Sequence, residues 1–260
     1  LQDSAVSWLY YADRIYQLPL GLVGIAIGVV LLPELSRKLR AREGAGALHS
    51  QNRSLELSLL LTLPAAVALM VVPYPIIQVL FERGAFSSAD TIATAIALAA
   101  FAAGLPAFVL VKVFSPGFFA REDTKTPMIY AATSVVVNIT GSLALFFVLG
   151  HVGIAIATSA AGWVNALLLA ATLMKRGHFA FDDTFKRRLA PMCLSCLVMG
   201  GALMGVSLAL SPWFAPANGI ALQVAALAAL VVCGISVYTL MAHLTGALRI
   251  SELMAAIKRA

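Results

Sequence analysis

The stretch YYADRIYQ, residues 10–17, sets Asp13 and Arg14 side by side at the head of the apolar run LPLGLVGIAIGVVLL. A guanidinium presents a planar fork of N–H donors that matches the paired oxygens of a phosphate or a carboxylate. Inside a membrane such a cation costs roughly 2.5–3.5 kcal/mol at the centre of a helix, so it has to face protein or a water-filled cavity. Asp13 does not cancel the charge by adjacency, because neighbouring helical positions point about 100° apart. Asp13 and Gln17 are four residues apart, share a face and are expected to hydrogen-bond. Two readings follow for Arg14: a buried ion pair with another helix, or a cationic site for a phosphate or carboxylate.

Other polar residues in apolar surroundings invite weaker readings. Lys112 lies one or two residues from the basic end of its hydrophobic run, and its stem is expected to lift the ammonium to the interface. Ser134, Asn138 and Gly141 share one helix face; Thr158, Gly162 and Asn165 share another. Hydrogen bonding between two neighbouring helices accounts for both faces, and a polar cavity wall is the alternative. Pro19 precedes Gly21, Gly24 and Gly28, a small-residue stripe suited to close helix packing, with a bend at the proline as the second reading. Cys193 and Cys196 have the spacing of a redox or zinc pair, but no second such pair or adjacent histidine completes a site. With Cys233 they read as small buried hydrophobes. His49, His151, His178 and His243 form no metal-binding motif, and Asp182-Asp183 is a lone acidic pair. No catalytic arrangement is found, and neither a metal nor a cofactor is expected.

The elements that carry these residues are membrane spans. The chain is 61% hydrophobic and 12% charged, with a mean hydropathy of +0.92, where soluble domains are about a quarter charged. Crossing a bilayer takes about 20 residues of helix. Seven stretches qualify: 6–32, 57–80, 92–113, 128–149, 152–174, 189–210 and 220–242. The fold class is therefore an all-α polytopic membrane bundle. Pro73 and Pro75 predict a kink or early stop in the second span. The net charge of +6 reports topology and anionic lipid; no basic stripe interleaved with aromatics points to nucleic acid.

Fifteen of the eighteen Lys and Arg residues fall in alternate connections and the tail, among them Arg37, Arg121, Lys125, Arg176 and Arg249, whereas the opposite connections hold only Arg83. The positive-inside rule makes the crowded side cytoplasmic, with the amino end outside and the carboxyl end inside. The basic segment after the first span, with Leu35 and Leu39 one turn apart, reads either as a short interfacial helix on anionic headgroups or as a solvated loop. The chain opens at Leu1 without a methionine or a cleavable signal, and reads as a fragment.

"VSWLYYADRIYQLPLGLVGIAIGVVLLPELSR" and "VKVFSPGFFAREDTKTP", with "FERGAF" and the Asn138 and Asn165 positions, resemble the MurJ (MviN-type) lipid II flippases of the MOP exporter superfamily. The likeness covers the whole chain and corresponds to helices eight to fourteen of a fourteen-helix, two-lobe transporter. It implies that residues 1–174 form the carboxyl-terminal lobe with five spans. Residues 175–260 would add two spans forming a lipid-tail groove, and a cytoplasmic tail. It also implies that Arg14, Asp13 and the upstream Ser7 line a central cavity. Gln17 stands where some relatives have Glu, which removes any acidic role there. Asn138, Asn165, Lys112, Arg121 and Lys125 complete the candidate cavity or gating positions. The implied activity is non-enzymatic: alternating-access transfer of lipid II, a polyprenyl diphosphate-linked disaccharide peptide, from the cytoplasmic to the periplasmic leaflet of the bacterial inner membrane. The implied partners are lipid II, membrane lipids, the missing amino-terminal half of the same protein and the cell-wall synthesis machinery.

The alternatives are a sister exporter of other lipid-linked oligosaccharides (O-antigen type) or of drugs, an enzyme acting on polyprenyl phosphates, and a non-transporting scaffold of cell-wall synthesis. A drug exporter would want acidic cavity residues, and the enzyme several carboxylates in its loops; neither pattern is present in the chain.

Overall fold

The computed structural model describes residues 4–215 and 218–247, apart from the side chains at positions 25–29. Its described residues are helical, with no strand: α1 (Ala5–Arg40), α2 (Gly44–Val71), α3 (Pro73–Phe81), α4 (Ser88–Ala102), α5 (Leu105–Phe119), α6 (Lys125–Leu149), α7 (His151–Lys175), α8 (Asp183–Ala209), a 3-10 turn (Ser211–Phe214) and α9 (Ile220–Leu244). Six stretches are long and apolar enough to cross a membrane, with α4 and α5 counted as one span of 32 residues. The expected first span lies within α1, some of whose side chains are outside the description.

α1 packs on α2, α4 and α5, while α7 closes the other side of α4 and α5. α6 is hung on α7 as a hairpin, and α8 and α9 form a second hairpin that docks on α2 and α3. Tail lipid is as apolar as leucine, so close van der Waals contact and polar links hold these helices together rather than escape from water. Small residues let backbones approach: a Cβ on Gly153 would fall 2.6 Å from the Leu145 main chain, and one on Gly162 2.9 Å from the Phe108 ring.

Proline shapes the bundle where expected and also where it is not. α2 stops at Val71 and α3 restarts on Pro73, whose missing N–H is harmless in a first turn. The third span, expected to be one helix, is broken at Ala103 and Gly104 ahead of Pro106. The break frees carbonyls, and α7 supplies the donors: Ser159 Oγ donates to Ala100 O at 2.7 Å and Trp163 Nε1 to Ala103 O at 3.0 Å. Gly104 is required at this crossing, since a Cβ would come within 2.8 Å of Ser159 Cα.

The basic segment after the first span is neither of the two forms expected. α1 continues through Pro33 to Arg40, and α2 begins at Gly44. Leu35 is buried and Leu39 packs on the same core, so this helix faces protein. Glu34, Lys38 and Ser50 tie α1 to α2, with Lys38 Nζ 2.7 Å from Glu34 Oε1.

Candidate functional site

Arg14 lies on the exposed flank of α1, on the side turned away from α2, α4 and α5. Val6, Tyr10, Leu18 and Leu22 are also exposed on this helix. The guanidinium carbon sits 4.7 Å from the centre of the Tyr10 ring, one turn earlier. Among the described residues no carboxylate lies within ion-pair distance of it. The buried ion pair is therefore not formed among the described residues. Asp13, half-buried, instead accepts a hydrogen bond from Gln17 Nε2, as the spacing predicts. Tyr16 lies on the packed side of α1, against Phe101 and Phe108.

Ser7 stands two turns before Arg14, in a recess of about 510 Å³ shared with Trp8, Tyr11, Phe81, Arg83, Phe86 and Asp90. Its walls are pinned: Trp8 Nε1 donates to Asp90 Oδ1 at 2.7 Å, and Asp90 also closes a capping box with Ser87 at the start of α4. The Ser-x-x-Asp spacing of residues 87–90 is the signal by which this cap is legible in sequence. Arg83 donates from Nη2 to Val79 O at 2.6 Å.

Lys112 does not do what its position in the sequence implied. α5 continues past it through Pro116 to Phe119, seven residues or about 10 Å further, so its ammonium is not at a helix end. Its stem lies across α1 at Gly24, where a Cβ would fall 2.7 Å from Cδ and Cε and 2.9 Å from Nζ. The glycine stripe of α1 thus serves, at Gly24, to seat a lysine.

Asn138 lies in the seam between α6 and α7, donating to Thr158 Oγ1 at 3.3 Å and accepting from Ser142 Oγ at 2.9 Å. Ser134 Oγ donates to Ala161 O across the same seam, and Gly141 packs on Ala157. Interhelical hydrogen bonding, the first of the two readings, describes these residues. Asn165 does not join them; its Oδ1 is buried with no partner among the described residues.

Arg121 and Lys125 are remote from Arg14. They belong to the end of the bundle where α5 passes into α6 and α7 into α8. Arg121 Nη1 donates to Gly117 O at 2.6 Å, and Lys125 is exposed in the first turn of α6. Here Arg176 binds Asp123 at 2.6 Å; that contact, with hydrogen bonds from Thr126, holds the Asp123 carboxyl down to about 2. Burial, followed by the charges of Arg121 and Arg176, holds His178 below its ordinary value. Nearby, Glu56 of α2 takes a hydrogen bond from Arg53 at 2.9 Å and another from Arg188 of α8. Asp182 caps α8 through the Phe185 N–H at 2.7 Å, which gives half of the acidic pair a structural task. The basic residues of the first, third and fifth connections thus share one end of the bundle, with Arg83 at the other; Arg249, Lys258 and Arg259 lie outside the described residues.

An apolar groove of about 440 Å³ runs between α2, α8 and α9. Its walls include Leu61, Pro64, Met199, Leu203, Leu230 and Val231, with Tyr238 donating to Leu60 O at 2.7 Å. Lys112's seat has no signal in the sequence, because it depends on which helices meet; the resemblance implies a groove in the last two spans, and the part that α2 plays in its wall is visible only in the fold.

The fold and the exposed flank of α1 define a polytopic α-helical membrane protein that presents cations on one face and an apolar groove between its later helices. Residues 1–225 match the family described as "Lipid II flippase MurJ", and the chain belongs to that family. It is 45% identical over 258 residues to the probable lipid II flippase MurJ of Rhizobium tropici, and 47% identical over 258 residues to that of Rhizobium meliloti (strain 1021). In both comparisons 99% of this chain is covered and 48% of the relative. The solved structure titled "Lipid II flippase MurJ, inward closed conformation" superimposes with a TM-score of 0.73 at 28% identity, over 92% of this chain and 47% of that one. The chain spans about half the length of the curated relatives it matches.

Proposed function

We propose that this chain is the half of a lipid II flippase that contributes one wall of the transport cavity and the seat for the lipid tail. Acting with a second half of the kind its relatives carry, it transfers a polyprenyl diphosphate-linked disaccharide peptide between leaflets by alternating access. The observation that carries this reading is Arg14: a permanent cation on an apolar helix, exposed and without a carboxylate partner among the described residues. A diphosphate is the ligand that a guanidinium fork fits, and a wet cavity is where such a charge is tolerated.

The groove between α2, α8 and α9 supports the second part of the reading, since a polyprenyl chain needs an apolar track continuous with lipid. On this reading residues 1–174 are the cavity-forming lobe and 175–260 the tail-binding addition. The end that holds Arg37, Arg121 and Arg176 faces the cytoplasm of a bacterial inner membrane.

The test is genetic rescue by a full-length flippase containing this segment, in cells depleted of their own. Arg14→Ala is expected to abolish rescue at unchanged membrane abundance, and Arg14→Lys to retain part of it, because a point charge keeps the attraction and loses the fork. Full growth with Arg14→Ala would refute the cavity role.

A further inference from the structure

Between Leu105 and Phe118 every side chain of α5 is buried or half-buried except one, Lys112. Short of its last residue, the exposed Phe119, α5 opens only at its cation. The opening is shaped from the other side by Gly24, the residue on α1 whose missing Cβ leaves the space that the Lys112 stem occupies. Lys112 has no ion pair and no hydrogen bond among the described residues, and positions 25–29 carry no polar side chain that would supply one. An ammonium held in an apolar span with no protein partner requires water or an anion.

Its place relative to Arg14 follows from helix geometry. Gly24 is ten residues beyond Arg14, which is about 15 Å along α1 and about 80° around it. That puts Lys112 on the stripe of Asp13 and Gln17, beside the flank that carries Arg14 and closer to the end where Arg37, Lys38 and Arg40 lie. The two cations thus stand at different depths along one exposed side of the bundle.

We propose that Lys112, seated by Gly24, is a second phosphate contact of the cavity: it receives the diphosphate of the lipid-linked cargo on the basic side and passes it to Arg14. The proposal rests on the flippase reading and adds to it a residue, its depth and an order of contact. Gly24 is a positioning residue, acting only through Lys112. The same chemistry would hold the phosphate of a resident phospholipid, and the test separates the two.

Binding is measured in the full-length protein in nanodiscs by native mass spectrometry, with polyprenyl diphosphate as one probe and phosphatidylglycerol as the other. Lys112→Gln is expected to weaken polyprenyl diphosphate about tenfold, the scale of one charge-assisted contact, and to leave phosphatidylglycerol unchanged. Lys112→Arg keeps most of the binding. Gly24→Ala, which retains the charge but displaces the stem, weakens binding severalfold in the parent and adds nothing in the Lys112→Gln background. Thermal unfolding of each variant, expected to match the parent, separates loss of contact from loss of fold. Parental diphosphate affinity in Lys112→Gln, alongside loss in Arg14→Ala, would overturn this proposal and leave the Arg14 reading standing. Loss in neither variant would overturn both. Loss of phosphatidylglycerol alone in Lys112→Gln would make the site a phospholipid seat and refute the hand-over.

Discussion

Placing Arg14 against the Tyr10 ring returns about 0.5–1 kcal/mol at an exposed site, against roughly 2.5–3.5 kcal/mol for an arginine at the centre of a membrane helix. The ring orients the guanidinium without neutralising it, and the remainder has to come from water or a bound anion. Gln17 adds no charge of its own, and its Nε2 donates to the Asp13 carboxylate, which forms no ion pair with Arg14. At the basic end the balance runs the other way. His178 has a buried Nδ1 without a partner among the described residues, and burial together with Arg121 and Arg176 disfavours its charged form. Its folded pKa is below its unfolded value of 6.5. Folding therefore gains from this group above that value and loses the gain as pH falls below it, until the folded pKa is passed. Acidification from about pH 7.5 to about pH 5 is expected to lower the thermal unfolding midpoint in detergent, and His178→Gln to remove part of that drop. An identical acid dependence in parent and variant would contradict the assignment.

At the scale of elements, the attachment of α8 to α2 is polar and well defined. Glu56 is buried between Arg53 and Arg188, and Asn52 both donates to Ala180 O at 2.9 Å and accepts the Asp182 N–H at 3.2 Å. Breaking a buried ion pair by removing one partner costs about 3–5 kcal/mol, since a charge is left stranded. Glu56→Ala is therefore expected to lower the unfolding midpoint clearly, and an unchanged midpoint would show that the arginines are held by other means. Helix existence was legible in the chain because an apolar run of about 20 residues has few other solutions. Two boundaries were not. The tail of α1 is rich in Arg and Lys and reads as an interfacial helix or a solvated loop, yet buried Leu31 and Leu35, with half-buried Leu39, continue a packed stripe through Pro33. The break at Gly104 is hidden inside a uniformly apolar run, because its carbonyls are satisfied by Ser159 and Trp163, nearly sixty residues away.

Across the whole molecule the described Lys and Arg residues of the odd connections converge at one end, which the sequence pattern implies and the helix packing realises. The site was only partly legible. Arg14 stands out because its type conflicts with its surroundings, and Asp13–Gln17 because four residues make one turn. Lys112 was misplaced because its depth depends on where α5 ends, and a proline at position 116 reads as a stop although the helix runs through it. Asn138 and Asn165 look equivalent in sequence, yet only the first meets a partner in the α6–α7 seam. In intact cells carrying a full-length, otherwise cysteine-free protein, Ser88→Cys is expected to react with an impermeant thiol reagent and Ala45→Cys to be protected; the reverse would invert the topology. Whether water reaches the α1 flank at Arg14 is measured by the same chemistry at Arg14→Cys in opened membranes. A solvated flank gives reaction with a small hydrophilic thiol reagent at a rate near that of exposed Ala45→Cys. A rate as low as that of Ile139→Cys, on the apolar outer face of α6, would contradict it.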